Sequence, residues 1–359
     1  MNILVLAGDG IGPEITEATL TLLRAVDRRF NLGLAFDHME IGWAAHRRTG
    51  STLPATVLEA ARRAAGTILG PISHLDYPPA EHGGINVSAA FRKELDLFAN
   101  IRPARTRRGV PHVGRAMDLV IVRENTEGFY ADRNMAVGSG EFMPEPGMAL
   151  AIRKVTGRAC RRIAQSAFDL ARRRRQKVTA VHKANVLRIS EALFLAEVRH
   201  VAANYPDVAF EEVLIDAMAA LLVREPSRFD VVVTTNMFGD ILSDEASELA
   251  GGLGLAGSLN AGSEYAVAQA QHGSAPDIAG KDQANPVSLM LSAAMLLDWL
   301  ADRQDRRDLA EAAGAIETTV DQLLADPARR TADLGGPLGT AAFASAAAAA
   351  VLAGGTAVT

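Results

Sequence analysis

Two aspartates, Asp240 and Asp244, stand four residues apart in NMFGDILSDEAS, directly after the apolar run VVVTT. At helical spacing their carboxylates share one face near the start of a helix. Like charges so placed repel, and no basic residue lies between them. A hard cation such as Mg2+ or Mn2+ would relieve that repulsion by taking oxygens from one or both. The competing reading is a solvated first turn favoured by the helix dipole. Asp216, after the strand-like run Val213 to Ile215, is a third acidic candidate. Arg92, Arg102 and Arg123, in AAFRKELDLFANIRP and LVIVRENTEGFY, are the basic counterpart. Guanidinium groups at strand ends can fork onto carboxylates, although surface pairing would also account for each. Lys183 ends KVTAVHK, where partial desolvation would suit a general base. Tyr130 follows the NTEG turn and could donate or relay a proton.

Two glycine-containing segments bear on cofactors. GDGIG at 8–12 follows a strand and precedes a helix, but it lacks the G-x-G-x-x-G spacing of a dinucleotide fold. HGSAPDIAGK, His272 to Lys281, is the better cofactor loop, because its small residues let backbone amides approach a phosphate. Asp277 could accept hydrogen bonds from an adenosine ribose, and its charge would repel a 2′-phosphate, so NAD is favoured over NADP.

Elements must position these residues, and their pattern is α/β. Strand-like runs at Ile3 to Ala7, Thr67 to Leu69, Leu119 to Val122, Val178 to Val181, Val213 to Ile215 and Val231 to Thr234 alternate with helical stretches. Those stretches are Pro13 to Arg29, Thr156 to Arg174, Leu187 to Asn204, Ala217 to Val223 and Ile241 to Ala250. Continuous apolar runs such as VVVT suit strands covered on both faces of a largely parallel sheet. Ala131 to Gly147, rich in Gly, Pro, Met and Asn, with an extended piece at Met148 to Ile152, reads as an arm, lid or interface element. Gly251 to Asn285 holds seven glycines without clear periodicity and reads as a long binding loop.

Bulk composition narrows the function. The 359 residues suffice for two domains, and the net charge of -5 disfavours a nucleic-acid binder. The basic run Arg172 to Arg175 reads as a solvated helix end. Cys160 is the one cysteine, which excludes an intrachain disulfide, fits a reducing compartment and reads as buried filler. The N-terminal apolar run reads as a strand and not a signal peptide, and alanine-rich Ala341 to Ala353 is too short to span a bilayer. The expectation is a cytoplasmic protein with no membrane role.

Together the segments GDGIGPE, LDLFANIRP, VRENTEGFY, HKANVLR, IDAMA, NMFGDILSD and HGSAPDIAGK, ending at the ANP of 284–286, resemble the isocitrate/isopropylmalate dehydrogenase family. These are metal-dependent β-decarboxylating dehydrogenases, and the segments occur in the family's order over most of the chain. The resemblance implies the family's own α/β/α fold in two domains, not a Rossmann fold. Residues 1–98 with 254–359 would form the cofactor domain, and 99–253 the central domain with a dimerisation arm near 131–153. It implies a homodimer or higher homo-oligomer with shared active sites, to which Lys183, Asn185 and Asp216 come from the partner. Arg92, Arg102, Arg123, Tyr130, Asp240 and Asp244 would act at home.

By the same resemblance Asp216, Asp240 and Asp244 hold Mg2+ or Mn2+, Lys183 takes the 2-hydroxyl proton, and Tyr130 protonates carbon after CO2 leaves. Arg92, Arg102, Arg123 and Asn185 hold a malate-type 2-hydroxy acid. His272, Gly273, Ser274, Ala275, Pro276, Asp277, Ile278 and Asn285 bind NAD. Before Arg92, isopropylmalate enzymes place leucines, whereas this chain has GGINVSAAF with Asn86 and Ser88, closer to the isocitrate and homoisocitrate branch. An isopropylmalate or a tartrate or D-malate type of substrate is the alternative, and a non-catalytic regulatory subunit is the rival from another class. Gln269 in QAQHG, where the family commonly has Glu, is a departure that leaves room for an atypical substrate.

Overall fold

The computed structural model describes residues 1–130, 135 and 137–354. The chain opens with β1 (Asn2–Leu6), α1 (Gly12–Phe30), β2 (Ala35–His38), α2 (Gly42–Thr49), α3 (Ala55–Arg63) and β3 (Gly66–Leu69). Helix α4 (Val87–Glu94) leads into β4 (Ala99–Arg105) and β5 (Asp118–Glu124). The excursion holds β6 (Glu141–Glu145) and β7 (Met148–Ala151). Then come α5 (Gly157–Arg172), β8 (Lys177–His182), α6 (Ser190–Ala202), β9 (Ala209–Leu214), α7 (Ile215–Arg224), β10 (Val231–Thr234) and α8 (Asn236–Ala250). The chain closes with β11 (Leu259–Ala261), β12 (Ala266–Gln269), α9 (Val287–Gln304), α10 (Arg307–Ala325) and α11 (Thr340–Leu352).

Local chemistry explains the element ends. Helix α1 has Pro in its first turn, where a missing N–H costs nothing, and stops at Asn31 in the left-handed region. Thr156 caps α5 by accepting Ala159 N–H at 3.2 Å. Strand β10, VVVT, is buried along its whole length, as a strand covered on both faces must be.

Ten strands form one sheet in the order β2-β1-β3-β12-β11-β4-β5-β10-β8-β9. Pairing is parallel toward both edges, but β12–β11, β11–β4 and β4–β5 are antiparallel. The sheet is largely parallel as expected, six of its nine pairings being so, but its two parallel wings meet at an antiparallel centre. The reading of 251–285 as one irregular loop is corrected, because β11 and β12 lie at the heart of the sheet. They were missed because three or four small residues, LNA and AVAQ, carry too little pattern to register, yet they are nearly fully buried. Pro103 sits inside β4, beyond Ile101, the last residue that β11 pairs with, so the strand has an open edge that tolerates the missing N–H.

Helices cover both faces. Alanine-rich α11 packs its Phe343, Ala347 and Val351 into the same apolar cluster as Ile15, Leu22 and Val26 of α1. The basic run ends α5 with Arg172, Arg173 and Arg175 exposed, as expected of a solvated helix end, and surface ion pairs add to it. Arg172 pairs with Asp207, Arg173 with Asp302, and Arg174 with both Asp118 and Asp230. Cys160 is buried as expected. The arm strands pair antiparallel as a separate two-stranded sheet, with Phe142, Met143, Met148 and Leu150 exposed. Residues 131–134 and 136 of the expected arm lie outside the described residues. No helix among the described residues is long and apolar enough to cross a membrane.

Candidate active site

The site grows from the antiparallel centre of the sheet. Antiparallel register sets Arg123 of β5 opposite Asn100 of β4, and Ile121 opposite Arg102, so both arginines occupy one face. Helix α8 follows β10 and crosses that face. Its approach depends on Gly239, where a Cβ would stand 2.6 Å from the Arg123 side chain. Four-residue spacing then brings Asp240 and Asp244 over the arginines.

There the charges interlock. The Arg123 guanidinium, 2% exposed, donates to Asn236 Oδ1 at 2.9 Å and pairs with Asp240. Arg102 Nη1 donates to Ser243 Oγ at 2.7 Å and Asp244 Oδ1 at 2.9 Å, and lies 3.6 Å from Asp240 Oδ1. The Tyr130 hydroxyl donates to Asp240 Oδ2 at 2.7 Å. Burial alone would raise the Asp240 carboxyl, but Arg123, the Tyr130 hydroxyl and Arg102 outweigh it and hold the group below its ordinary value. Burial pulls the Arg102 guanidinium down, against the opposing field of Asp240 and Asp244.

A cleft of about 240 Å3 adjoins this cluster, lined by Asn86, Ser88, Arg92, Arg102, Gln271 and His272 among others. Its floor is a polar relay. Arg92, Asn100 and Asn125 all donate to the buried Asn260 Oδ1, at 3.2, 3.2 and 3.0 Å. Asn260 donates to Gln269 Oε1 at 3.4 Å, and Gln269 Nε2 donates to Ser88 Oγ at 2.6 Å. A glutamate at 269 could not make that last donation. Gln271 Nε2 donates to Asp244 at 2.9 Å, while its Oε1, Arg102 Nε and His272 Nε2 are buried without a partner. Burial lowers the His272 pKa, which keeps the ring neutral near pH 7.

Other expected site residues fall differently. Asn86 caps α4 by accepting Ala89 N–H at 3.0 Å, so its carbonyl oxygen already has a structural partner. Asn285 is likewise engaged, donating to Asp333 at 2.9 Å and accepting Val287 N–H at 3.0 Å. Gly273 lines the cleft, whereas Ala275, Pro276 and Asp277 stand exposed on the loop beyond it, followed by half-buried Ile278. Ser274 is buried, its hydroxyl 2.8 Å from Ser73 Oγ and its carbonyl accepting Ile11 N–H at 2.8 Å. Gly10, at φ +58°, permits that approach, since a Cβ there would lie 2.0 Å from the Ser274 oxygen. GDGIGPE thus clamps the His272 loop: Glu14 also accepts N–H from Gly280 and Ala284, at 3.1 and 3.3 Å. Asp9 of the same segment accepts from Trp43 N at 2.8 Å, Ser73 N at 3.1 Å and the Tyr77 hydroxyl.

Lys183, Asn185 and Asp216 do not join the cluster within one chain. Lys183 Nζ donates to Asp216 Oδ1 at 2.7 Å, which holds that carboxyl below its ordinary value, and Asn185 is exposed nearby in sequence. Asp216 lies in the first turn of α7 and not at a strand end, because β9 stops at Leu214. Among the described residues, no three His, Cys, Asp or Glu side chains of one chain converge as a metal site. Asn100, Asn236, Asn260 and Gln271 were missed by sequence reasoning. Asn236 alone carried a signal, as a polar residue at a strand-to-helix junction.

A family model described as Isocitrate/isopropylmalate dehydrogenase matches residues 2–349. A 3-isopropylmalate dehydrogenase of Methanothermobacter thermautotrophicus is 43% identical over 341 residues, covering 95% of each chain. An isocitrate/homoisocitrate dehydrogenase of Thermus thermophilus is 41% identical, over 96% of this chain and 97% of its own. The crystal structure of isocitrate dehydrogenase from Methylococcus capsulatus superposes with a TM-score of 0.86 at 38% identity, over 98% of this chain and 99% of that one.

Proposed function

Because the chain belongs to the isocitrate/isopropylmalate dehydrogenase family, we propose that it is an NAD-dependent β-decarboxylating dehydrogenase of a 3-substituted (2R)-malate. The observation that carries this reading is the meeting of Arg102, Arg123 and Tyr130 with Asp240 and Asp244 beside a cleft. Asp240 and Asp244 would hold Mg2+ or Mn2+ together with the partner subunit's Asp216. The hard oxygen donors suit such a cation, and the unpartnered Gln271 Oε1 beside Asp244 adds to them. His272, whose Nε2 is buried without a partner, and the loop that GDGIGPE clamps would hold NAD. When bound, the cation withdraws electrons from the alcohol oxygen and the nicotinamide accepts hydride.

The chain's own residues supply the rest. Arg92, Arg102 and Arg123 orient the malate carboxylates. Lys183 of the partner subunit takes the hydroxyl proton, with Asn185 beside it. Tyr130 returns a proton to the carbon from which CO2 departs. Sharing between two chains is supported by exposed apolar groups: Phe142, Met143, Met148 and Leu150 of the arm, Ile189 at 87% exposure beyond Lys183, and Ile241 of α8. Two bodies, 1–98 with 254–359 and 99–253, are supported by the cores. Apart from Val110, Phe98 and the half-buried Ile101, which packs on two of them, each apolar cluster draws on one of these sets alone. A cytoplasmic setting is supported by the single free thiol, Cys160.

Asn86, Ser88 and Gln269 give the cleft a polar wall, which suits an isocitrate- or homoisocitrate-like third group. A second reading, 3-isopropylmalate, is favoured by the internal bonds of Asn86 and Ser88, which lessen that wall's demand for a polar ligand. NADH formation with Mn2+ on isocitrate, homoisocitrate, isopropylmalate, tartrate and malate tests both. Turnover of one acid with CO2 release supports the proposal and names the third group. No turnover on any, with no Mn2+ bound, refutes it and leaves a non-catalytic subunit.

A further inference from the structure

Glu191 is an acid with no side-chain surface in water, in the first turn of α6, where a helix start needs no buried charge. Its two oxygens divide their work. One pairs with Arg153, whose side chain is itself nearly buried. The other accepts the backbone N–H of Lys183 at 2.9 Å. Lys183 is also gripped through its carbonyl, which accepts Val186 and Leu187 N–H at 3.0 and 2.9 Å. The Leu187 carbonyl in turn accepts Glu191 N–H at 3.1 Å.

Arg153 also reaches the elements that carry this chain's own cluster. It follows β7, at the point where the arm re-enters the body. Its guanidinium lies 5.8 Å from the ring centroids of both Phe129 and Phe238. Phe129 precedes Tyr130, and Phe238 stands two residues before Asp240. Further bonds run to Ser190 Oγ at 2.7 Å and Thr235 Oγ1 at 3.1 Å. Paired amide bonds between Gly128 and Lys154, at 2.8 and 3.1 Å, hold the two chain segments side by side.

We infer that the buried Arg153–Glu191 pair is a positioning device that ties the arm's exit to the Lys183 backbone and to the elements carrying Tyr130 and Asp240. It rests on the function proposed above for those three residues. Neither member touches substrate. Glu191 fixes where the lysine side chain starts, and Arg153 fixes Glu191. An arm seated on a second copy of the chain would thereby set the lysine's place.

Two variants test this. Glu191→Asp keeps the charge opposite Arg153 but withdraws the carboxylate from Lys183 N–H by about one C–C bond, ~1.5 Å. Glu191→Leu with Arg153→Met removes both charges and leaves no ion unpaired inside. For each folded variant the expectation is a kcat lowered by about a hundredfold, the loss a displacement near 1 Å can cause, with both KM values within about threefold. Amide hydrogen exchange at Lys183 should quicken in parallel, and that arm is read whether or not any acid is turned over. If the wild-type enzyme oxidises none of the acids, the proposed activity fails while exchange still judges the tie. A folded variant with kcat within about twofold of wild type, or a Lys183 amide exchanging at the wild-type rate, overturns the inference. So does failure of both variants to fold, which would make the pair structural only.

Discussion

Replacing Arg123 by methionine keeps the length of the side chain and removes its charge. The guanidinium is 2% exposed and bonds to both Asn236 and Asp240. Without it, Asn236 Oδ1 and the Asp240 carboxylate lose their nearest donor. Breaking a fully buried pair costs ~3–5 kcal/mol. The Asp240 side chain, however, is 35% exposed and keeps Tyr130 and, at 3.6 Å, Arg102. Solvent screening therefore reduces the loss to about 2–3 kcal/mol. At ~2–4 °C per kcal/mol for a chain of this size class, the melting temperature should fall by roughly 5–10 °C. The sign of the pH dependence follows from the depressed Asp240 carboxyl. A folded pKa below the unfolded one, about 3.9, adds stability above that value and loses it as pH falls through the folded value. The gap between wild type and variant should hold from pH 7 down to about pH 4 and narrow only below that value, as Asp240 takes up its proton. Calorimetry at equal protein concentration reads both. A gap under about 1 kcal/mol at pH 7, or one that widens on acidification, refutes the reasoning.

Complementation reads the shared site directly. Lys183→Met and Tyr130→Phe should each be nearly inactive alone, whereas hybrids of the two carry one intact site in two. Random reassortment then restores about a quarter of wild-type activity, and no recovery in proven hybrids excludes sharing. Gly10→Ala forces a Cβ to 2.0 Å from the Ser274 oxygen at φ +58°. Stability should fall by about 2 kcal/mol or more, with the KM for NAD raised; an unchanged KM and melting temperature would exclude the clamp. Burial pushes the Cys160 thiol up to about 12. Native protein should resist a thiol reagent at pH 8 and react only on unfolding, and rapid stoichiometric labelling of the native state would contradict this.

The parallel wings were legible because their strands are apolar runs long enough to stand out, as VVVT does. The centre was not, since LNA and AVAQ owe their burial to neighbours distant in sequence. Site residues with a local pattern were legible too, and four-residue spacing placed Asp240 and Asp244 on one face of α8 as expected. Asn260 was hidden, because a buried asparagine that serves three donors at once looks on paper like any loop residue. GDGIGPE shows the converse case. The motif stood out and its spacing already argued against a dinucleotide fold, but that its glycines let two loops approach is drawn only by tertiary contact. Asn86 stood out for substrate and also does a helix cap's work.

The place of β12, between β3 and β11, has a consequence for biosynthesis. A ribosome releases β3 with Leu69 and reaches Gln269 only after two hundred more residues. At ~5–20 residues per second that interval is about 10–40 s. Throughout it β1, β2 and β3 have a bare edge and lack the cover of α9, α10 and α11, while the middle of the chain already has its own strands to pair. Nascent chains of this protein should therefore offer chaperones an N-terminal client surface until synthesis is nearly complete.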